Sequence, residues 1–287
     1  MHYPPTELVL NDQGAVYHLG LQPEQLASKI ILVGDQDRVA KISRYFDQIE
    51  HRVQHREFVS HTGIFQGKRL TVLSTGIGTD NIDICMAELD ALVNIDLSSR
   101  TEKKEKTSLE IIRIGTCGML QKTMPIHSFV LSTHAIGLDN IAHFYPINWT
   151  SEEQLLLQEM TNQVQFPSHI QPYLSMASVR LVSKLDSEHV TKGITITSSG
   201  FYGPQGRSLR LSSLMPNIHL DLGAFDYNGV QVVNFEMESS AIFALGKALG
   251  HDCTSICLGV ANRPLEIFST GIDLAMDELI LYVLERI

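Results

Sequence analysis

The chain has 287 residues, 44% of them hydrophobic and 19% charged, with a formal net charge of −10. That composition is globular, with core enough for one large domain or two modest ones. A field of that sign disfavours nucleic acid and anionic membranes, while leaving room for a small anion held by a few converging arginines.

Mean hydropathy is near zero at +0.03, and no apolar run approaches the roughly 20 residues of a membrane helix. The opening Met1-His2-Tyr3-Pro4-Pro5 has neither a basic nor an apolar region, so no signal peptide and a cytoplasmic location are expected. Four cysteines, Cys85, Cys117, Cys253 and Cys257, match no zinc spacing and read as reduced core thiols. None of the twelve histidines shows ligand spacing beside an acid, so no metal site and no cofactor are expected.

Residues 1–28 are broken by Pro4, Pro5, Gly14, Gly20 and Pro23 and read as irregular, the first 15 as an arm. His18, within it, reads from the residues alone as a surface histidine. Lys29–Val33 then forms a buried strand, Gly34 a turn, and Asp37 to about Ile49 a helix. A glycine lets a backbone approach an anion and a helix start offers free N–H groups. Arg38, in the first turn, is unfavourable to the helix dipole unless an anion sits beside it. The pattern is neither a dinucleotide fingerprint nor a P-loop.

Phe58–Phe65 and Arg69–Ser74 read as a hairpin turning at Gln66-Gly67-Lys68. Gly76-Ile77-Gly78 follows as a second glycine loop, opening a helix with Ile82, Met86, Leu89 and Val93 on one face. Residues 97–108 are polar and charged, an exposed insertion or helix end. Leu109–Gly118 is a third strand-plus-glycine unit, and Arg113 interrupts its apolar run. A buried arginine needs a carboxylate or a bound anion. Gly34, Arg38, Gly78, Arg113 and Thr116 thus place anion-capable groups on three strand ends, which favours one shared anion site.

Ser128–Ala135 reads as a strand and Ser151–Gln165 as a helix capped by Ser151. The strand Gly193–Ser198 ends in Ser199-Gly200-Phe201-Tyr202-Gly203-Pro204-Gln205-Gly206-Arg207. In extended chain Gln205 and Arg207 face one side. They could read a pyrimidine edge while Phe201 packs on the ring, or the loop could be a flexible turn. Val230–Phe235 is a strand running into a helix with Ile242, Leu245 and Leu249, and Gly250 offers a stop. Glu236 and Glu238 flank Met237 at that junction, where ligands bind in open α/β sheets; two acids around an apolar wall suit a sugar. A strand, Ser255–Ala261, leads to Asn262-Arg263-Pro264, and a final helix runs from Asp273 to about Arg286. Alternating strands and helices argue for one α/β domain over residues 1–287.

In that order the chain carries His18-Leu19-Gly20, Gly34-Asp35-x-Asp37-Arg38, His55-Arg56-Glu57-Phe58, Ser74-Thr75-Gly76-Ile77-Gly78, Arg113-Ile114-Gly115-Thr116, Phe201-Tyr202…Gln205-x-Arg207 and Glu236-Met237-Glu238-Ser239. The combination, over roughly residues 16–286, resembles the uridine phosphorylases of the nucleoside phosphorylase family. The resemblance implies an α/β fold whose central mixed sheet is partly closed as a barrel and flanked by helices. It also implies a homo-oligomer, at least a dimer with shared active sites, in many relatives three dimers in a ring. By motif, Gly34, Arg38, Arg113 and Thr116 resemble a phosphate site, completed by Arg56 from a neighbouring subunit. His18 resembles a histidine that a neighbour places on the ribose 5′-hydroxyl. Glu236, Met237 and Glu238, with Thr116, resemble a ribose site. Phe201, Gln205 and Arg207 resemble a base pocket with Arg263 behind it.

The activity implied is phosphorolysis of uridine, or also of deoxyuridine or thymidine, by inorganic phosphate as co-substrate, with Arg38, Arg113, Glu238, Gln205 and Arg207 carrying the chemistry. Purine-cleaving relatives place an Asp where this chain has Ala261-Asn262-Arg263. A purine nucleoside phosphorylase, a nucleoside hydrolase and a non-catalytic nucleoside-binding protein are the competing readings. Some relatives hold potassium between subunits; Glu57 and Ile77 match that pattern, while Asn81 stands in place of a Ser.

Overall fold

The computed structural model describes residues 2–287; Met1, the first residue of the expected arm, lies outside the described residues. In chain order the strands are β1 (Lys29–Val33), β2 (Gln48–His55), β3 (Phe58–Phe65), β4 (Lys68–Ser74), β5 (Ile95–Asp96), β6 (Thr101–Glu102), β7 (Glu110–Met119), β8 (Phe129–Gly137), β9 (Tyr173–Met176), β10 (Val190–Thr197), β11 (Asp226–Tyr227), β12 (Val230–Glu236), β13 (Asp252–Asn262) and β14 (Ile267–Phe268). The helices are α1 (Gln36–Ser43), α2 (Thr79–Asn94), α3 (Ser151–Gln163), α4 (Val179–Leu185), α5 (Ile218–Gly223), α6 (Ser239–Leu249) and α7 (Asp273–Leu284).

One sheet runs β11-β12-β10-β8-β13-β7-β1-β4-β3-β2. A further antiparallel pairing, Asn234 with Met119 and Phe235 with Gly118, joins β12 to β7. It closes β7, β12, β10, β8 and β13 into a mixed barrel, with β1, β4, β3 and β2 continuing outward as an open sheet. Strand β1 is parallel to both β4 and β7, and β13 is parallel to β7 over almost its full length. Parallel strands covered on both faces read as continuous apolar runs, which is why Ile30–Val33 and Ile111–Ile114 were legible despite Arg113. Side chains alternate across β1. Ile30 and Leu32 pack with Ile82, Met86, Leu89 and Ile242 of α2 and α6. Ile31 and Val33 pack with Val39, Leu181, Leu279 and Val283 of α1, α4 and α7.

The helix expected from Asp37 to Ile49 stops at Ser43 and is followed by β2, which pairs antiparallel with β3. Strand β2 is an edge strand with five of its eight residues exposed and polar, so it lacks the apolar alternation that marks a strand. The α3 cap is Thr150 rather than Ser151: Thr150 accepts from the Glu153 N–H, and the Glu153 carboxylate accepts from the Thr150 N–H at 2.7 Å. Gly250 closes α6 with φ 80, a left-handed conformation glycine adopts without a Cβ clash.

Within residues 97–108, Thr101–Glu102 pairs with Ile95–Asp96 in a two-stranded ribbon. The arm lies on that ribbon: the Tyr3 N–H donates to the Arg100 carbonyl at 2.8 Å and the Tyr3 hydroxyl to Glu102 at 3.0 Å. Lys103 Nζ donates to the Val93 carbonyl at 3.0 Å, a cation at the carboxyl end of α2. The four cysteines are free and buried. No helix among the described residues is long and apolar enough to cross a membrane.

Candidate active site

The carboxyl ends of β1, β4, β7, β12 and β13 open onto a cavity of about 780 Å³, in the usual range for a small-molecule site and at the expected edge of the sheet. Of the residues expected from the sequence, Gly34, Arg38, Arg113, Thr116, Phe201, Gln205, Arg207, Glu236, Met237 and Glu238 all line it.

The β1 turn supplies one end. Asp35 caps α1 by accepting from the Asp37 N–H at 2.9 Å, which fixes the first turn and sends Arg38 inward. Arg38 donates to the Ile114 carbonyl at 3.4 Å. Burial and the neighbouring Arg113 charge lower its pKa, so a second guanidinium sits close by in a poorly hydrated wall.

Arg113 leaves β7 with 5% exposure. Its Nη2 donates to Glu238, its Nη1 to Cys257 Sγ at 3.3 Å, and Glu236 Oε2 lies 3.4 Å from Nη1. Burial opposes its charge, yet Glu238 and Glu236 outweigh burial and hold its pKa above the usual range. Its Nε is buried with no acceptor.

Glu238 is the other half of that pair. Its Oε1 accepts from the Gly78 N–H at 2.9 Å. Burial pushes its carboxyl up, Arg113 pulls against that, and Glu236 adds to the rise. Glu236 is held differently. Its carboxylate accepts from the Glu238 N–H (3.0 Å), the Ser239 N–H (3.0 Å) and the Ser239 and Thr197 hydroxyls (2.9 and 2.5 Å). Both its oxygens serve the start of α6, an anion at a helix amino end.

At the opposite end, Gln205 closes a 3-10 turn, Gly203–Gln205, and Gly206 turns back at φ 74. The turn, not extended chain, brings Gln205 and Arg207 together: Arg207 Nη1 donates to Gln205 Oε1 and, at 2.7 Å, to the Phe201 carbonyl. Gln205 is buried, its Nε2 donating to Ser198 at 2.8 Å. The Arg207 guanidinium lies 3.8 Å from the Phe201 ring centroid, a cation–π stack. Burial first, then the Arg263 charge, lowers Arg207 to about 10. Arg263 stands behind, donating to the Gln205 carbonyl at 3.1 Å. Asn262 is not offered to the cavity; its amide donates to the Gln121 and Met124 carbonyls.

His18 and Arg56 lie away from the cavity wall and close to one another. Glu88 accepts from the His18 N–H and meets its Nδ1 at 2.7 Å. Arg56, with φ 54, stacks 5.4 Å from the Tyr17 ring centroid. Tyr17 also meets the rings of His18 and His55 edge-on. Glu57, Ile77 and Asn81 line the cavity near Gly76. No cluster of three or more metal-ligating His, Cys, Asp or Glu side chains exists among the described residues.

Sequence reasoning missed Cys117 and Phe268, which line the cavity, and Cys257, which backs Arg113. The β7–β13 register sets Cys257 opposite Gly115, and no local pattern announces that pairing.

The model of the phosphorylase superfamily matches residues 28–272. The chain is 28% identical to the uridine phosphorylase of Thermococcus kodakarensis over 252 residues, covering 88% of this chain and 79% of that protein. It is likewise 28% identical to the uridine phosphorylase of Escherichia coli, covering 86% of each. Among solved structures, a Trypanosoma brucei nucleoside phosphorylase described as showing uridine phosphorylase activity superposes with a TM-score of 0.89 at 31% identity, over 98% of this chain and 99% of that one. With the family model spanning most of its length and both the barrel and its cavity in place, this chain belongs to the phosphorylase superfamily.

Proposed function

We propose that the protein is a uridine phosphorylase, a pentosyltransferase that cleaves uridine with inorganic phosphate to uracil and ribose 1-phosphate. The observation that carries this reading is the composition of a single cavity. Arg38 and Arg113 stand at one end, Glu238 on the floor, and the joined Gln205–Arg207 pair at the other. The similarity to uridine phosphorylases supports the same activity.

The chemistry follows from charge. Phosphate sits between the Gly34 turn, Arg38, Arg113 and Thr116, and attacks the anomeric carbon. The ribose gains oxocarbenium character, which the dianion stabilises from below; arginines fixed by the fold position the dianion without reorganising. Glu238 accepts from the ribose hydroxyls and Met237 supplies an apolar floor. Glu236 holds the start of α6 and keeps Glu238 and Arg113 in register. Electron density moves into the uracil ring, where Arg207 and the Gln205 amide stabilise it at the polar edge, and Arg263 reinforces the positive potential. Asn262, tied to backbone carbonyls, offers no acid to protonate a purine, which favours the pyrimidine.

His18 and Arg56 act on the site of a neighbouring protomer, His18 at the 5′-hydroxyl and Arg56 at the phosphate. Their clustering through Tyr17 on the outer surface supports a homo-oligomer with shared sites. A potassium ion between subunits would take the Glu57 carboxylate, the Ile77 carbonyl and the Asn81 side chain, and would offset the charge of Glu57.

The test is a substrate panel of uridine, thymidine, inosine and adenosine, each with and without phosphate. Uridine turnover that requires phosphate is expected. Turnover of purines alone would return the site to the purine phosphorylase reading, and phosphate-independent cleavage to the hydrolase reading.

A further inference from the structure

The Arg113 guanidinium is already occupied before any substrate arrives. Nη2 donates to Glu238, Nη1 to Cys257 with Glu236 beside it, and Nε has no acceptor. Around Arg38 and Arg113, two guanidiniums, stand two carboxylates, Glu236 and Glu238. Within one protomer these charges cancel at the end of the cavity that must hold the phosphate dianion, and a neighbour's Arg56 would add one positive charge without freeing Arg113 from Glu238.

Of the two carboxylates, one is fixed and one can yield. Glu236 has both oxygens bound by the α6 amino end and by Thr197. Glu238 is held by the Gly78 N–H and more weakly by the Met237 N–H, and Arg113 is the cation that pairs with it. A buried carboxylate that loses its only cation is costly unless other donors replace it. The two hydroxyls of a ribose are such donors, and they arrive at the same carboxylate.

We propose that Glu238 competes with inorganic phosphate for the Arg113 guanidinium, and that the ribose diol of a bound nucleoside relieves the competition, so that the two substrates bind with positive coupling. The proposal rests on the uridine phosphorylase reading and adds to it: Glu238 both holds the sugar and governs when the phosphate site opens. Reciprocity follows, because a ligand that frees Arg113 for phosphate must itself be bound more tightly when phosphate is present.

The test is calorimetric titration of inorganic phosphate into the full-length protein, with and without saturating pseudouridine. That nucleoside keeps the ribose diol, and its carbon–carbon link to the base resists phosphorolysis. In the native protein, pseudouridine should tighten phosphate binding by at least about five-fold, the lower end of typical coupling between sites. In Glu238→Gln, phosphate should bind tighter than to the native protein without any nucleoside, and pseudouridine should change that affinity less than two-fold, about the resolution of the method. Glu238→Ala serves as a second variant if the glutamine form is misfolded by circular dichroism. Phosphate binding that is no tighter in the folded variant, or coupling that survives there, would overturn the proposal. Uridine turnover by the native protein, measured on the same preparation, separates the two failures: its absence removes the underlying activity, whereas its presence with unaltered phosphate affinity in the variant removes this inference alone.

Discussion

The Gly78 N–H donates to Glu238 Oε1 at 2.9 Å, across 160 residues of sequence. This bond ties the amino end of α2 to the Glu238 carboxylate on the cavity wall, and so joins the second glycine loop to the α6 junction. Gly78 holds φ 97 and ψ 162, a region essentially confined to glycine. Gly78→Ala leaves the Cβ in open space, so its penalty is backbone strain of about 1–3 kcal/mol. Relief of that strain turns the N–H away from Glu238. The expected result is a lower Tm together with a raised KM for uridine; an unchanged KM would show that the bond does not position Glu238.

Arg113→Ala removes the charge on which Glu238 and Glu236 converge. The expected loss of phosphate-dependent turnover is about 2.7–4 kcal/mol, as for removal of one transition-state donor. Single-turnover kinetics would measure it, and normal kinetics would refute the assignment.

At the Gln205 end of the cavity, proposed to hold the base, Arg207→Leu leaves the cation–π stack and the Gln205 contact unmade. A hydrogen bond to a charged group contributes about 1.5–3 kcal/mol, and that much should disappear from kcat/KM for uridine. Any residual cleavage of inosine should be unaffected. Equal losses for both nucleosides would place Arg207 outside base recognition.

Mixed oligomers test the shared site. Arg56→Ala and Glu238→Ala proteins, each poorly active alone, should recover activity when unfolded together and refolded, because some protomers then draw Arg56 from one chain and Glu238 from the other. No recovery would mean that each site is complete within its own chain.

Stability has its own charged anchor. The Glu153 side chain is 1% exposed and is bound by Lys247, the Thr150 N–H and, at 2.9 Å, the Met176 N–H. Burial raises its pKa, but these donors outweigh burial and leave it below the usual carboxylate value. A carboxyl depressed in the folded state stabilises the fold above its unfolded pKa and loses that contribution as pH falls through the folded value. Glu153→Ala should therefore cost about 1–3 kcal/mol at neutral pH, the range for hydrogen-bond donors left without their partner, and the gap from the native protein should narrow in acid below the ordinary glutamate pKa. Urea melts across pH would measure both; a constant gap would mean that the charge is not what stabilises.

The buried strands were legible because parallel strands covered on two faces leave unbroken apolar runs, and Gly34, Gly78 and Glu236–Glu238 marked the carboxyl ends of β1, β4 and β12. Arg113 announced itself as a charge inside such a run. The edge strand β2 was not legible, because one side faces solvent and its polar residues resemble a helix surface. Nor was the occupancy of Arg113: sequence showed that it needed a partner, but the partner depends on how β7, β12 and β13 wrap around one barrel. Cys257 reaches Arg113 through that same long-range register. Gln205 and Arg207 were expected side by side on an extended chain; the structure brings them together by a different geometry and joins them to one another. The glycine at 206 turns the chain, and a stretch read as extended folds back on itself.

The most direct measurement counts phosphate against uracil. Purified protein is incubated with uridine and limiting inorganic phosphate, and both phosphate consumption and uracil release are followed to completion. The account predicts one phosphate consumed per uracil formed, ribose 1-phosphate as the sugar product, and no uracil once phosphate is exhausted or omitted, apart from the equilibrium limit. Uracil release that continues without phosphate, or that yields free ribose, would contradict it.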